Sequence, residues 1–501
     1  MEAMNEEIKC LNNNNTWDLV DLPESRRAVG SKWVFKKKLD ENNQVISHKA
    51  RLVAQGFSQK YGTDYDEVFA PVTRSSTFRM LLAVSAKRKY IVKQFDIKSA
   101  FLNGELKEEI YLKQPPGFQI NNQVYRLKKS LYGLKQAARV WNSTIHQVFI
   151  ENNFEQSQID KCLYIKHSGS KFCYIIIHVD DILIAGSDTD IVNQIQVKLS
   201  NKFQIKDLGH IKYFLGIQIK QDKNGDYFIN QESYIDKIIE ESKLSDAKPS
   251  KFPLDTGYYK LQNSDPLPDN EEYRKLIGML LYLSTNSRPD ISSSVSILSQ
   301  KVSKPSRLDL NEVKRVIRYL SSTKKLSLRL SNQNSVSDLI MYSDANWAED
   351  RVDRKSNSGY IVFAFGGTIS WACRKQVCVS LSSTEAEYVA LSEATQELIW
   401  LQRLSQDFSI NIQYPVQILA DNQSAIKMID NHKFSNSTKH IETRYHFIKD
   451  IKEQGSINIK YVPAEDNIAD MLTKALGGIK IKDLRTRAGL TDLEYEASHP
   501  H

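Results

Sequence analysis

Two adjacent carboxylates interrupt an apolar stretch at Tyr174-Ile175-Ile176-Ile177-His178-Val179-Asp180-Asp181-Ile182-Leu183-Ile184-Ala185-Gly186. The flanking runs are short and rich in β-branched residues, which predicts a buried β-hairpin with acids at its tip. Paired acids seldom close apolar strands, because neighbouring like charges repel and each tends to protonate in a dry site. A divalent cation removes that objection. For the segment taken alone, a polar turn in which Asp suits the backbone is the alternative. Upstream, Ile91, Val92 and Phe95 lead into Asp96, again an acid at the end of an extended segment, with a helix N-cap as its other possible role. Asp96, Asp180 and Asp181 brought together would suit two-metal phosphoryl transfer, since Mg²⁺ takes few protein oxygens and leaves its other sites to water and phosphates.

A second set of acids recurs toward the C-terminus. Ile340-Met341-Tyr342-Ser343 reaches Asp344, and Gly359 to Trp371 reads as a hairpin with a glycine turn. A helix begins at Ser382-Ser383-Thr384-Glu385 and carries Ala386, Val389, Ala390, Ala394, Leu398 and Leu401 at helical spacing. Ser382 with Glu385 also makes a capping box, a structural alternative for Glu385. Val416 to Ala420 is a strand ending in Asp421, and Ile459-Lys460-Tyr461 precedes a segment holding Asp470. Each acid alone is equally a cap or turn residue. The ordered set Asp344, Glu385, Asp421 and Asp470 on this strand and helix pattern is far more specific.

The elements that must position these acids belong to a chain of 501 residues, long enough for two to four domains. With 41% hydrophobic and 10% aromatic residues, the composition is that of a soluble globular protein. No run approaches the roughly 18 apolar residues of a membrane span, and the polar start is not a signal peptide, so an intracellular protein is expected. Five scattered cysteines without a CxxC pair indicate neither a disulfide framework nor a zinc site. The net charge of +8 permits nucleic-acid binding without requiring it. Basic runs lie near aromatics: Lys36, Lys37 and Lys38 by Trp33 and Phe35, and Arg126, Lys128, Lys129, Lys135 and Arg139 by Tyr125, Tyr132 and Trp141. That mixture suits phosphate neutralisation and base stacking, with a solvated basic face as the alternative. Polar, Pro-containing residues 244–270 and the patch 331–338 predict domain edges. Between them, Tyr273, Leu276, Leu280 and Leu283, then Arg315, Arg318 and Tyr319, predict amphipathic helices with a basic side.

Several ordered motifs resemble the Pol polyprotein of copia-type LTR retrotransposons, over its reverse transcriptase and ribonuclease H parts. They include Gly30-Ser31-Lys32-Trp33-Val34-Phe35-Lys36, Lys49-Ala50-Arg51-Leu52-Val53-Ala54-Gln55-Gly56-Phe57, Gln114-Pro115-Pro116-Gly117-Phe118 and Ser130-Leu131-Tyr132-Gly133-Leu134-Lys135-Gln136. Ser380-Leu381-Ser382-Ser383-Thr384-Glu385-Ala386-Glu387-Tyr388 and Thr438-Lys439-His440-Ile441 resemble the ribonuclease H part. The resemblance implies an α+β fold: a right-hand polymerase with fingers, palm and thumb, a connection region, and a ribonuclease H-like mixed-sheet domain. The expected boundaries are an integrase-junction remnant at 1–15, reverse transcriptase at 16–255, connection at 256–336, ribonuclease H at 337–478 and a tail at 479–501.

By the same resemblance, Asp96, Asp180 and Asp181 are the polymerase acids, and Asp344, Glu385, Asp421 and Asp470 the ribonuclease H acids. Each set would hold two Mg²⁺ or Mn²⁺ ions. Phe101 matches the bulky steric gate against a 2′-hydroxyl. Lys49 and Arg51 match the basic pair that approaches the incoming triphosphate, without indicating which of the two faces it. Tyr132 and Gly133 match the motif beneath the template and new base pair. The implied partners are an RNA template, a DNA primer, the RNA–DNA hybrid, dNTPs and other Pol or capsid products. The implied setting is a cytoplasmic virus-like particle, with the nucleus as a second location. The chain is expected to be a processed product, a fragment or a truncated element copy.

Departures are few. His178 stands where the family usually has an aromatic, and Ala138 where it usually has Pro. The histidine found near the fourth ribonuclease H acid is not apparent, and His440 or His446 could substitute or simply occupy a solvated face with Arg444. A degenerate nucleic-acid-binding remnant, or a subunit whose role is assembly, are the rival expectations.

Overall fold

In the computed structural model, which describes residues 1–39, 45–260, 264–331, 338–350, 352–430 and 442–493, the chain divides into two units. The first comprises residues 1–73 and 93–210, the second residues 74–92 and those from 211 onward. The edges expected near 255 and 336 do not coincide with this division. Part of the expected 331–338 patch, residues 332–337, lies outside the described residues.

In the first unit, helix α1 (Glu2–Asn13) precedes β1 (Trp17–Val20), β2 (Ala28–Val29) and the antiparallel pair β3 (Ser31–Leu39) and β4 (Val45–Ala54). Then come β5 (Ile91–Ile97), β6 (Glu105–Lys113), β7 (Val124–Lys129) and helix α3 (Ala137–Glu151). The unit closes with β8 (Glu155–Gln156), β9 (Leu163–Ser168), β10 (Lys171–His178), β11 (Asp181–Gly186), α4 (Thr189–Ser200) and β12 (Ile205–His210). Six strands form one sheet in the order β12-β5-β11-β10-β9-β8, and four form another, β1-β7-β6-β2.

The apolar run around the paired acids forms the expected hairpin, with Ile177 opposite Ile182 and His178 opposite Asp181. Ile175, Ile177, Ile182 and Ile184 pack with Trp141, Ile145 and Phe149 of α3 and with Ile191, Ile195 and Leu199 of α4. Tyr174, Ile176 and Leu183 on the other face are equally buried, which is why the strands read as near-continuous apolar runs rather than alternating ones. Asp188 caps α4 by accepting from the Ile191 amide at 3.0 Å.

The second unit takes α2 (Ser75–Arg88), whose Arg79 guanidinium lies 3.9 Å from the centre of the Trp371 ring and donates to the carbonyls of Thr285 and Asn286 at 3.1 Å. These bonds to residues distant in sequence hold α2 within the second unit. Strands β13 (Tyr213–Phe214), β14 (Ile217–Gln221), β15 (Tyr227–Asn230), β16 (Ser327–Arg329) and β22 (Leu490–Thr491) form one antiparallel sheet. Segments expected in three separate domains thus share a ladder. Helices α5 (Glu232–Glu241), α6 (Glu271–Asn286), α7 (Ser292–Ser299) and α8 (Arg307–Ser322) pack around Tyr273, Leu280, Val295, Val316 and Tyr319. On the expected basic side of α8, Arg315 is paired with Glu312 and Asp255, at 2.9 and 3.2 Å.

A five-stranded mixed sheet carries the second set of acids, built from β17 (Leu339–Asn346), β18 (Asn357–Ala364), β19 (Gly367–Lys375), β20 (Val416–Ala420) and β21 (Ile457–Tyr461). Its order is β19-β18-β17-β20-β21, antiparallel through the first three strands and parallel from β17 to β21. Helix α9 (Ser383–Asp407) lays Ala386 and Ala390 against Ala345. Helices α10 (Gln423–Asp430), α11 (Glu442–Glu453) and α12 (Gly478–Arg487) complete the unit. No helix among the described residues is long and apolar enough to cross a membrane.

A buried ion pair ties parts of this unit together. Arg288 donates to both oxygens of Asp290 at 2.8 and 2.7 Å, Tyr319 donates to Asp290 at 2.6 Å, and Arg485 of α12 donates to the Tyr319 hydroxyl at 2.8 Å. Burial opposes the Asp290 charge, yet the Arg288 guanidinium beside it holds the carboxyl below its usual range. Replacing Asp290 by Ala strands a buried guanidinium, so Asp290→Ala should lower stability by about 3–5 kcal/mol, read as a shifted urea-unfolding midpoint.

Candidate active sites

The first candidate site lies at the tip of the β10–β11 hairpin. Val179 adopts a φ of +58°, a left-handed conformation that turns the chain in two residues and leaves Asp180 at the tip. The Val179 carbonyl accepts from the buried Trp141 indole at 2.7 Å, and the Asp180 carbonyl accepts from the Ile97 amide at 3.0 Å. That second bond sets Asp96, the preceding residue of β5, beside the hairpin. Asp181 accepts from Gln94 at 3.3 Å. Burial raises the Asp181 pKa, and the charges of Asp180 and Asp96 push the same way against the Gln94 hydrogen bond. The three acids therefore share one field.

Aromatic and basic residues border them. The Phe101 ring meets Tyr132 edge-on, with centres 4.6 Å apart, and the Arg51 guanidinium lies 4.9 Å from the Tyr132 ring centre. Burial raises the Tyr132 pKa, with Asp180 adding to the rise and Arg51 opposing it. Next to Tyr132, Gly133 has a φ of +92°, and a Cβ there would stand 2.1 Å from the Ala54 carbonyl oxygen. Only glycine lets β4 approach so closely. Lys49 is exposed on β4, opposite Lys36 of β3. His178 is half-buried beside the acids, its Nδ1 without a hydrogen-bond partner among the described residues, and burial lowers its pKa.

The second candidate site joins Asp344, Glu387 and Asp421, whose carboxylate oxygens lie within 4.8 Å of one another. The sheet register explains two of them. Tyr342 pairs with Leu419 across the parallel strands β17 and β20, and two residues further on come Asp344 and Asp421. Glu387 comes from the start of α9, with Oε2 buried and unpartnered among the described residues. Burial raises all three pKa values and the neighbouring acids add to each rise, with Asp344 reaching about 7. Three hard oxygen donors, one of them orphaned, fit a divalent cation.

Asp470 approaches from the turn 468–472, which packs closely on β18. A Cβ on Gly359 would stand 2.6 Å from Thr473 Cγ2. Lys474 bridges Asp470 and Asp344 at 2.5 and 3.3 Å, Lys480 pairs with Asp470, and the Thr473 hydroxyl donates to Asp344. Burial works against the Lys474 charge, yet Asp344 and Asp470 hold its pKa above the ordinary value.

Comparison with known proteins decides the family. A family model described as reverse transcriptase (RNA-dependent DNA polymerase) matches residues 14–256. The chain is 37% identical over 98% of its length to the retrovirus-related Pol polyprotein from transposon TNT 1-94 of Nicotiana tabacum. It is 33% identical, over 60% of its length and all of the relative's, to the putative transposon Ty5-1 protein YCL074W of Saccharomyces cerevisiae. The chain belongs to the copia-type retrotransposon Pol family. It spans 38% of the length of the tobacco polyprotein. Among solved structures, LC11-RNase H1 aligns with 28% of the chain and 94% of its own, at 19% identity and a TM-score of 0.22.

In this Pol chain the structure brings Asp96, Asp180 and Asp181 together, with Phe101, Tyr132, Gly133 and Arg51 around them. It also brings Asp344 and Asp421 together, with Asp470 held alongside through Lys474. Glu385 is not one of the three acids that converge. Its carboxylate turns back to accept from the Leu381 amide at 2.8 Å, while its own amide donates to Ser382 at 3.2 Å, so it shapes the start of α9. Glu387 takes the place in the cluster. The apolar spacing gives no signal for the choice, because both glutamates are buried and each precedes buried residues of α9 by three, four and seven positions. Lys474, Gln94 and Trp141 were missed as positioning groups. His440 lies outside the described residues, and His446 is exposed on α11.

Asp344 has a measurable signature. With a folded pKa near 7 against an ordinary value near 4, the folded state keeps a proton that the unfolded chain has already lost. In chelator, the stability this group contributes is therefore complete below about pH 4 and falls as pH rises through about 7. Urea unfolding across that interval should show the slope in the parent chain and a flatter one in Asp344→Asn.

Proposed function

We propose that the chain is an RNA-directed DNA polymerase with ribonuclease H activity, copying element RNA into DNA and cleaving the RNA strand of the resulting hybrid. One observation carries the reading. Each unit holds its own cluster of acids where apolar strands end, and the first is bordered by the Arg51–Tyr132–Phe101 stack. In this reading the six-stranded sheet is the palm, the β3–β4 pair the fingers hairpin, and α6 to α8 the connection that holds the duplex.

Asp96 and Asp180, with Asp181, would hold divalent cations in the first site. Asp344, Glu387 and Asp421, with Asp470 alongside, would hold them in the second. When bound, such ions activate the attacking hydroxyl or water and neutralise the leaving oxygen. The protein's own residues do the rest. Arg51, a rigid fork of donors, binds triphosphate oxygens of the incoming dNTP. Phe101, braced edge-on by Tyr132, leaves no room for a ribose 2′-hydroxyl. Gly133 brings the backbone close under the new base pair. In the second unit Lys474 steadies Asp344 and Asp470, and contacts with 2′-hydroxyls in the wide minor groove select the RNA strand.

Primer extension on an RNA template and cleavage of an RNA–DNA hybrid, both with Mg²⁺, test the proposal. Asp180→Asn should abolish extension and spare cleavage, and Asp421→Asn should do the reverse. Glu387→Gln should cost cleavage more than the roughly 10–100-fold typical of losing an outer partner, and Glu385→Gln no more than that. Extension that survives Asp180→Asn would remove the proposed polymerase site. Absence of both activities in the parent chain would leave the nucleic-acid-binding remnant.

A further inference from the structure

Arg51 and Lys49 stand on β4, which among the described residues has one strand neighbour, β3. The amides on its outer edge need acceptors from elsewhere. Two alternate amides find them. The Ala54 amide donates to the Tyr132 carbonyl at 2.7 Å, and the Leu52 amide donates to Glu7 Oε1 at 3.2 Å. The strand that carries Arg51 is thus held at its root by the Tyr132 backbone and by a carboxylate from α1.

Glu7 also acts through its charge. Burial raises its pKa, opposed by the Leu52 amide and by the charges of Lys49 and Arg51, and its carboxylate bears in turn on the Tyr132 phenol. The remaining contacts of α1 lead to the same place. Leu11 is buried in a cluster with Leu52 and Leu102, against which Ile8, Cys10 and Phe101 pack. Cys10 Sγ lies 3.8 Å from Ser99 Oγ, in the turn after Asp96, where Ser99 takes a φ of +53°. Helix α1 therefore spans from the root of β4 to the turn between Asp96 and Phe101. Its residues 2–13 precede the segment that the reverse transcriptase family model matches.

We propose that Glu7 is a positioning residue for the incoming triphosphate: by holding the Leu52 amide, next in the strand to Arg51, it fixes the guanidinium over Tyr132 and makes α1 part of the nucleotide pocket. The inference rests on the nucleotide-binding role proposed for Arg51. An arginine side chain has considerable rotamer freedom, and a strand tied at one point rather than two adds more. Ordering both before the nucleotide arrives removes that cost from binding.

The test uses the full chain with Glu7→Ala and Glu7→Gln, measuring dTTP-dependent primer extension and hydrogen exchange over residues 45–54. Glu7→Ala should raise the KM for dTTP about tenfold, the order of one hydrogen bond to a charged group, with kcat within about twofold. Exchange should quicken over 45–54 and stay unchanged in the second unit. Glu7→Gln, whose amide oxygen still accepts from Leu52, should recover most of the KM. An unchanged KM with parental exchange in Glu7→Ala would overturn the inference, as would a lowered KM, which would make Glu7 a competitor of the triphosphate. A parent chain that extends no primer would instead overturn the polymerase reading, while exchange over 45–54 would still decide whether Glu7 holds the strand.

Discussion

Crowding of carboxylates where apolar strands end is the constraint on which both units are built. Ionised acids repel one another, and burial makes each charge dearer still. A flexible chain would separate them. Here the backbone forbids it: Asp344 and Asp421 lie two residues beyond a registered pair on parallel strands, and the Asp180 carbonyl is bonded to the amide that follows Asp96. The apolar strands supply the rigidity. Ile175, Ile177, Ile182 and Ile184 in one unit, and Met341, Ile361 and Ile418 in the other, are almost wholly buried. Cohesion of the cores is what offsets repulsion at their edges.

Around the first cluster, Tyr132 links the parts. Its ring braces Phe101 and carries Arg51, its carbonyl holds β4, and the glycine after it lets that strand approach. The acids, the aromatic wall and the basic strand are thus referred to one residue rather than to separate loops. Displacing it would disturb all three at once, which is how a site of few residues can keep its geometry although the basic hairpin beside it is largely exposed.

What was legible in the sequence was local. Apolar runs ending in acids identify Asp96, Asp180, Asp181, Asp344 and Asp421 because strand burial and chain reversal are encoded by neighbours in sequence. Glu385 misled because two signals overlap within three residues: Ser382 followed by an acid three positions later marks a helix start, and the same acid stands in a catalytic-looking motif. Burial does not separate Glu385 from Glu387, since the two are equally buried; their partners do, the Leu381 amide for Glu385 and the two strand-end aspartates for Glu387. Glu7, the place of α2 and the reach of Lys474 to Asp344 were not legible, because each depends on a partner remote in sequence. Arg79 joins the second unit through Trp371 and the carbonyls of Thr285 and Asn286, and nothing in the local pattern of 75–88 points there.

The two clusters solve the same electrostatic problem to different depths. Asp96, Asp180 and Asp181 are half-buried, and water still screens part of their repulsion. Asp344 is fully buried, and Glu387 and Asp470 nearly so. In the second cluster four carboxylates, Asp344, Glu387, Asp421 and Asp470, face two ammonium groups, Lys474 and Lys480, which leaves two negative charges unmatched if all are ionised. Both lysines pair with Asp470 and only Lys474 reaches Asp344, so the deficit falls on Asp344, Glu387 and Asp421, the acids whose pKa values rise. They can hold protons or share a divalent cation, and an unpartnered Glu387 oxygen beside two strand-end aspartates is arranged for the second. Two lysines steady the fourth acid, and the deficit left on the other three is what protons or a cation would meet.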